Sequence, residues 1–321
     1  MKKQILLLSL ALVIIGYISI FIGVSNISFM DILTLSDKQT QVLIISRLPR
    51  FLSIVCVGMG LSVAGLIMQY IMSNPFVSPS TGSTVAWARL GILFVLLFFG
   101  GANTILKMGI VSIFAFCGSL IFVKLTQKLK LKDAVLVPLI GIMLGNVVSS
   151  IVGFIAYRYN LIPNISSWLQ GSFTMVIRGR YELLYIGIPL LIAAFLYADK
   201  FTISSMGKDV ATNLGIDYKK IVTIGIIIAS LITSVVITTV GSISFIGIIV
   251  PNIVRMYYGD NFKYNVWIIA LTGALFLLVC DILARLLLYP FEIPVGIIAG
   301  ILGGIIFLIL LIRGKVNGKK Q

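Results

Sequence analysis

The residues of this chain best suited to chemistry are a few arginines and acids, and their spacing favours gripping over reacting. Arg47 and Arg50 flank Leu48-Pro49, and Arg285 follows Asp281 by four positions, so the acid and base can pair on one helical face. Arginine presents a planar fork that holds a carboxylate through two hydrogen bonds, which lysine cannot do. Arg89 stands in Trp87-Ala88-Arg89-Leu90, about six residues into an apolar run. A charge there marks a site facing a bundle interior or cavity; snorkelling to the nearer interface is the bland alternative. Histidine is absent, which removes the commonest metal ligand and general base. Cys56, Cys117 and Cys280 lie far apart in apolar runs, without metal-ligand spacing, and read as small packing residues. The sequence holds no Walker phosphate loop, no Ser/His or Cys/His constellation and no paired carboxylates. No catalytic residue, metal or cofactor is expected, and any energy from ATP must come from a separate subunit.

The elements that position these residues follow from composition. The chain has 321 residues, 59% hydrophobic and only 11% charged, whereas a soluble domain carries about 25% charged residues. So few charges cannot coat a water-soluble fold, so the chain reads as an integral membrane protein. A spanning helix needs about 20 mostly apolar residues. The candidates are ten stretches: 5–24, 51–72, 83–101, 108–123, 134–157, 181–198, 221–240, 243–257, 265–284 and 295–312. A signal peptide is the rival reading of the first, but the run is long for one and no clear cleavage site follows. The expected fold is all-α: a polytopic bundle of about ten transmembrane helices, forming a single transmembrane domain over 1–321, with both termini on one side.

Charge asymmetry assigns that side. With the N-terminus inside, cytoplasmic segments carry sixteen basic residues and external segments eight, namely Lys38, Arg47, Arg50, Lys107, Arg158, Arg178, Arg180 and Arg285. The excess puts both termini in the cytoplasm. Cytoplasmic basic residues are mostly lysine, whereas six of the eight external ones are arginine. The external arginines therefore suit a carboxylate-bearing partner, with interfacial snorkelling as the alternative for Arg158, Arg178 and Arg180.

Gly141-Ile-Met-Leu-Gly145 and Gly296-Ile-Ile-Ala-Gly300 have the small-xxx-small spacing of packed membrane helices. Prolines gather mainly at span ends and in connections (Pro49, Pro75, Pro79, Pro138, Pro163, Pro251, Pro290 and Pro294). The stretch Ser73–Thr84 is polar, with two prolines and a glycine between apolar spans. It suits either a plain cytoplasmic loop or a hydrated vestibule or gate. The longest charged cytoplasmic connection, Asp199 to Lys220, contains Met206, Val210 and Leu214 at four-residue spacing, a short amphipathic helix in which Gly207 and Gly215 act as breaks. Such a short amphipathic element reads as a docking surface for a cytoplasmic partner, with a membrane-surface helix as the competing reading.

At this point the residues resemble a family. Arg47-Leu-Pro-Arg50 followed by Gly58, Gly65, Gln69 and Asn74-Pro75 is similar to the iron-chelate and cobalamin permeases of binding-protein-dependent ABC importers. So are Trp168-Leu-Gln-Gly171, Met206-Gly207 with Ala211 and Leu214-Gly215, Phe245-Ile-Gly247 through Pro251 to Arg255, Asp281-Ile-Leu-Ala-Arg285 and Glu292-Ile-Pro294-Val-Gly296. The resemblance implies ten helices per subunit and a second permease subunit beside this one, identical or, preferably, a paralogue. Two ATP-binding cassette subunits and an extracytoplasmic siderophore-binding protein would complete the importer. By motif, Arg47, Arg50 and Arg285 would meet acidic residues of the binding protein. Met206, Gly207, Val210, Ala211, Leu214 and Gly215 would form the coupling element on the ATPase. Gln69, Asn74, Ser78, Ser80, Thr81 and Arg89 are the candidates for the substrate pathway.

Departures from the family pattern include Asn252 where a histidine is usual, and Val77-Ser-Pro-Ser-Thr-Gly82 after Asn74-Pro75. They resemble a branch serving catecholate-type ferric siderophores, such as petrobactin- or anguibactin-like ligands; cobalamin and haem are the alternatives within the family. Outside it, the alternative is an ion-gradient-driven secondary transporter using Asp281 for proton relay. A membrane-embedded enzyme lacks any recognisable cluster.

Overall fold

A computed structural model describes residues 2–23, 36–129, 136–179 and 181–317. Val24, Lys130, Lys132, residues 134–135, Arg180, Lys319 and Lys320 lie outside the described residues. Every predicted span coincides with helix. Among the described residues six helical segments are long and apolar enough to cross a membrane. They are α1 (Lys2–Phe21), the unit Asp37–Ile71, α5 (Thr104–Leu129), α6 (Leu136–Arg158), α11 (Tyr218–Val240) and α13 (Phe262–Leu286). The unit Asp37–Ile71 consists of α2 (Asp37–Val42), a π-helical turn (Leu43–Arg47) and α3 (Leu48–Ile71). A seventh crossing is bent by 58°, where a 3₁₀ turn and α8 (Gly187–Leu196) meet α9 (Ala198–Ser205). The other three stretches form shorter apolar helices: α4 (Thr84–Phe98), α12 (Ile246–Tyr258) and Val295–Leu310 of α14 (Val295–Asn317). At 1.5 Å per residue, α4 and α12 reach about 20 Å, short of a hydrocarbon core of about 30 Å. Each is preceded by irregular chain, 72–83 before α4 and 241–245 before α12. Short α7 (Ile162–Leu169) and α10 (Lys208–Asn213) lie in connections.

Two expectations are corrected. Arg47 and Arg50 were placed in an external connection, but the helix begins earlier, at a capping box in which Ser36 and Gln39 satisfy each other's backbone N–H groups. Pro49 then interrupts the ladder without ending it: the chain takes a π turn, and the Ile45 carbonyl accepts from the Arg178 N–H at 3.0 Å. Pro251 likewise lies inside α12 rather than at an end. It cannot donate to the Gly247 carbonyl four residues back, and the Gln69 side-chain amide does so instead, at 3.3 Å.

Helices α3 and α11 are the most enclosed, and α3 packs against α13, α11 and α12. Close crossings require glycine. A Cβ on Gly65 would overlap the Gly247 backbone, and one on Gly58 would lie 2.6 Å from the Gly273 carbonyl. Gly141 similarly admits the Thr81 carbonyl, whereas Gly300 faces open space. Helix α1 rides on α13 and α3 at the periphery, exposing Leu6, Leu10 and Val13.

Candidate translocation site

The outer end of the bundle is closed by an ionic cluster. Arg50, near the start of α3, donates from Nε and Nη2 to Asp281 Oδ1 on α13, at 3.1 and 2.8 Å. Its Nη1 donates to both carboxylate oxygens of Glu292, at 3.0 and 2.8 Å. Asp281 is fully buried, and Arg285 Nη2 lies 2.6 Å from its other oxygen, at ion-pair distance but not at a hydrogen-bonding angle. Arg285 also donates to the carbonyls of Ser19 and Ile22, while Arg47 donates to the Ile20 carbonyl at 2.6 Å. Two arginines and two acids thus form a neutral cluster joining α3, α13 and the segment before α14, with α1 supplying the remaining acceptors. Glu292 also accepts from Thr174 at 2.9 Å. Burial pushes its pKa up, but the charge and hydrogen bonds of Arg50, helped by Thr174, outweigh that and hold it below the usual glutamate value. The spacing of Asp281 and Arg285 anticipates their pairing; the closure by Arg50 and Glu292 was not anticipated. The signal was the scarcity of acids: with ten in the chain, two on one outer motif run call for partners.

Halfway along α3 the bundle opens. The connection 72–83 is no plain loop, because Asn74, Val77, Ser78 and Ser83 are buried. Its backbone is held by a hydroxyl knot in which Ser78 meets Ser80 at 2.8 Å and Thr81 donates to the Phe76 carbonyl. The connection 241–245, between α11 and α12, approaches from the other side. It is pinned by Ser242 N–H to the Leu169 carbonyl and by Ser172 N–H to the Val240 carbonyl. A small cavity is lined by Leu61, mid-way along α3, together with Ser78, Ser80, Ser242 and Phe245, which sets the depth of both connections. Next to it lies a cleft of about 170 Å³, lined by Ser80, Ser83, Arg89, Asn146, Ser149 and Ser244 among others. Arg89 therefore faces a polar cleft. No carboxylate pairs with it among the described residues. Asn146 and Ser149 in apolar α6, and Ser242 and Ser244 in the connection 241–245, were missed, since single small polar residues carry no motif; Ser83 belongs to the polar stretch Ser73–Thr84 without having been singled out.

At the inner end, Gln69 and Asn74 do not line this cleft. Gln69 accepts from Arg255 Nη1 at 3.1 Å, and Arg255 pairs with Asp260 and lies over the Tyr70 ring. Asn252, at the position where histidine is usual, donates to the carbonyls of Pro75 and Ile248, both at 2.7 Å. The Ser73 hydroxyl donates to the Ser205 carbonyl at 2.8 Å, tying the 72–83 connection to α9. Beyond α9 the chain turns at Gly207 (φ +108°) and Gly215 (φ +75°), conformations that side chains rarely adopt. Between them α10 exposes Val210 and buries Ala211, while Leu214 is exposed just past its end and Met206 is exposed ahead of the Gly207 turn. The helix is shorter than the four-residue spacing from Met206 to Leu214 predicts, because the chain breaks at Gly207.

The geometry so far is that of a helical membrane protein with broken crossings around a mid-depth polar cleft. Over residues 11–313 the sequence matches the model of the FecCD transport family. The chain belongs to that family. It is 51% identical over 308 residues to the petrobactin import system permease protein of Bacillus subtilis, covering 96% of this chain and 98% of the relative. It is 38% identical over 296 residues to the ferric-anguibactin transport system permease protein of Vibrio anguillarum, covering 92% and 94% respectively. A solved inward-facing metal-chelate type ABC transporter superposes with a TM-score of 0.83 at 26% identity, covering 98% of this chain and all of the other. As a FecCD member, the chain is a multi-pass cell-membrane permease subunit of an ABC importer, with no ATPase site of its own. Such a subunit works within a larger membrane complex.

Proposed function

We propose that this permease carries a ferric siderophore of the petrobactin or anguibactin type into the cytoplasm. The observation that carries this reading is the 51% identity, over nearly the full length of both chains, to a petrobactin permease. The whole chain acts as one permease domain beside a second permease subunit, preferably a paralogue. Two ATP-binding cassette subunits dock on the inner face and a siderophore-binding protein on the outer face.

The exposed Met206, Val210 and Leu214 suit the ATPase contact, with Gly207, Ala211 and Gly215 shaping the element that presents them. The Ser73–Ser205 hydrogen bond offers that element a short route to the pathway connection. Docking through Arg47, Arg50 and Arg285 asks more of the molecule, since all three are already bonded inside the protein. Carboxylates of the binding protein would exchange with Asp281 and Glu292 for Arg50, and with carbonyl oxygens for Arg47 and Arg285. In the pathway, Ser80 and Arg89 face the cleft, while Ser78 and Thr81 brace its wall and Gln69 and Asn74 hold its inner end. Asp281 is buried in the outer cluster, bonded to Arg50 and 2.6 Å from Arg285, and does not line the mid-depth cleft. That weighs against an ion-driven transporter.

The test is uptake of radioactive iron as ferric petrobactin into proteoliposomes holding the whole complex. Import that needs ATP, both cassette subunits and the loaded binding protein is expected. Import driven by an ion gradient without them would overturn the reading.

A further inference from the structure

We propose that the mid-depth cleft is an anion-binding cradle, built from Arg89, Ser83 and the N-termini of α4 and α12, that receives a negatively charged oxygen-bearing arm of the iron chelate. The proposal rests on the permease reading and adds the group recognised and the residues that recognise it.

Three observations converge on it. The first is unmet polarity. Arg89 Nε and Ser83 Oγ are both buried without a hydrogen-bond partner, and both residues line the same cleft. A buried group left unmade costs about 1–3 kcal/mol, and more when charged, so two such groups on one cavity point to an occupant. The second is backbone. Ser83 is the N-cap residue of α4 and stands at φ +61°, a left-handed conformation uncommon for a residue with a Cβ, yet its hydroxyl does not cap the helix. Serine at an N-cap ordinarily gives its oxygen to the helix; here the strained backbone leaves the hydroxyl on the cleft wall. Phe245 repeats the conformation at the start of α12, at φ +69°, again without a side-chain cap. Strain of this kind persists where the surrounding structure imposes it, and it clusters at ligand sites.

The third is field. Ser83 and Ser244, one and two residues before helices of 15 and 13 residues, both line the cleft, so two helix N-termini open onto it. Each N-terminus carries about half a positive charge. Broken helices in other transport proteins place such ends at mid-membrane, against anionic substrate groups. Arg89 adds a whole charge, and the acids of the described residues lie in other clusters or connections. Asn146 and Ser149 on α6 supply neutral partners opposite.

Size decides which part of the ligand fits. The cleft holds about 170 Å³, close to the roughly 150 Å³ cavity that takes a benzene ring. It therefore accommodates one catecholate or carboxylate arm and not a whole chelate. A single arm held by replaceable hydrogen bonds also suits a conduit, which must release what it binds.

The experiment uses the complete complex in nanodiscs and measures equilibrium binding of two gallium probes, one an anionic tris-catecholate and the other an uncharged tris-hydroxamate. Arg89→Gln should weaken binding of the anionic probe about tenfold or more, the usual worth of a charged hydrogen bond. Arg89→Lys should recover part of it, and the uncharged probe should be indifferent to both. Ser83→Gly, which removes the hydroxyl while easing the backbone, should weaken the anionic probe severalfold with no loss of folded complex. Unchanged affinity in Arg89→Gln, or an equal loss for both probes, would overturn the cradle. Absence of ATP-driven ferric-chelate uptake by the wild-type complex would instead sink the permease reading, leaving the cradle to be judged on anion binding.

Discussion

Two half-buried arginines in this permease have opposite surroundings. Arg50 lies among carboxylates, with Asp281 and Glu292 both within 3 Å or so of its guanidinium. Arg89 lies among hydroxyl groups, with a buried Nε that meets no acceptor. A charge removed from water must be compensated by the fold, by a ligand or by water. At the outer end the fold compensates: two arginines and two acids are drawn from elements far apart in the chain, and α3 and α13 become one unit. In the cleft it does not, and the missing half of the interaction is left to whatever enters. Neutral, closed clusters hold helices together; an uncompensated charge beside a cavity is available for work.

The strongest way to break this comparison is to open the outer cluster. Asp281→Ala leaves Arg50 and Arg285 facing each other inside the bundle with Glu292, the Ser19 hydroxyl and backbone carbonyls as the acceptors that remain. Removing one partner of a buried pair costs about 3–5 kcal/mol. The purified complex should lose most of its folded fraction, read as a large fall in thermal midpoint and in the monodisperse peak on size exclusion. A loss below about 1 kcal/mol would show the cluster to be dispensable.

Glu292→Gln probes the wetter edge of the same cluster. The Glu292 side chain is 24% exposed, so screening leaves an expected cost of about 1 kcal/mol. Its folded pKa is depressed relative to the unfolded chain. The ionised form therefore contributes stability above the unfolded value of about 4.3, and the contribution disappears as pH falls through the lower folded value. Thermal midpoints of wild type and Glu292→Gln should differ by a constant amount at neutral pH and converge in acid. A gap that persists at the lowest pH would assign the effect to shape and not to charge.

How much of this was legible beforehand differs along the chain. Spans, sidedness and the short helix between Gly207 and Gly215 follow from hydropathy, charge and glycine spacing, which are local properties. The pairing of Asp281 with Arg285 was visible because four residues make one helical turn. The link from Arg50 to Asp281 was not, since 231 residues separate them and no periodicity reaches that far. The role of Gln69 at the Gly247 carbonyl is hidden for the same reason: it exists only because Pro251 leaves that carbonyl without a donor and α3 crosses α12 at Gly65. The cleft was half legible. Arg89 announces itself as a charge in an apolar run, whereas Ser149 and Ser244 look like any small residue until folding puts them on one wall.

The smallest expected effect on stability is the sharpest test of the contrast. Arg89→Leu removes a partly buried charge that no described carboxylate pairs with, and it supplies apolar surface where the aliphatic stem of Arg89 packed. Replacing an uncompensated charge by a shorter hydrophobe forfeits no ion pair, so the thermal midpoint should stay within the equivalent of about 0.5 kcal/mol or rise slightly. Arg50→Leu, an identical chemical change, should cost several kcal/mol because it strands Asp281 and Glu292. Differential scanning measurements on the two purified variants decide the matter. Equal destabilisation would mean that Arg89 has its own compensating partners within the assembled complex, and the distinction between a structural and an available arginine would fall.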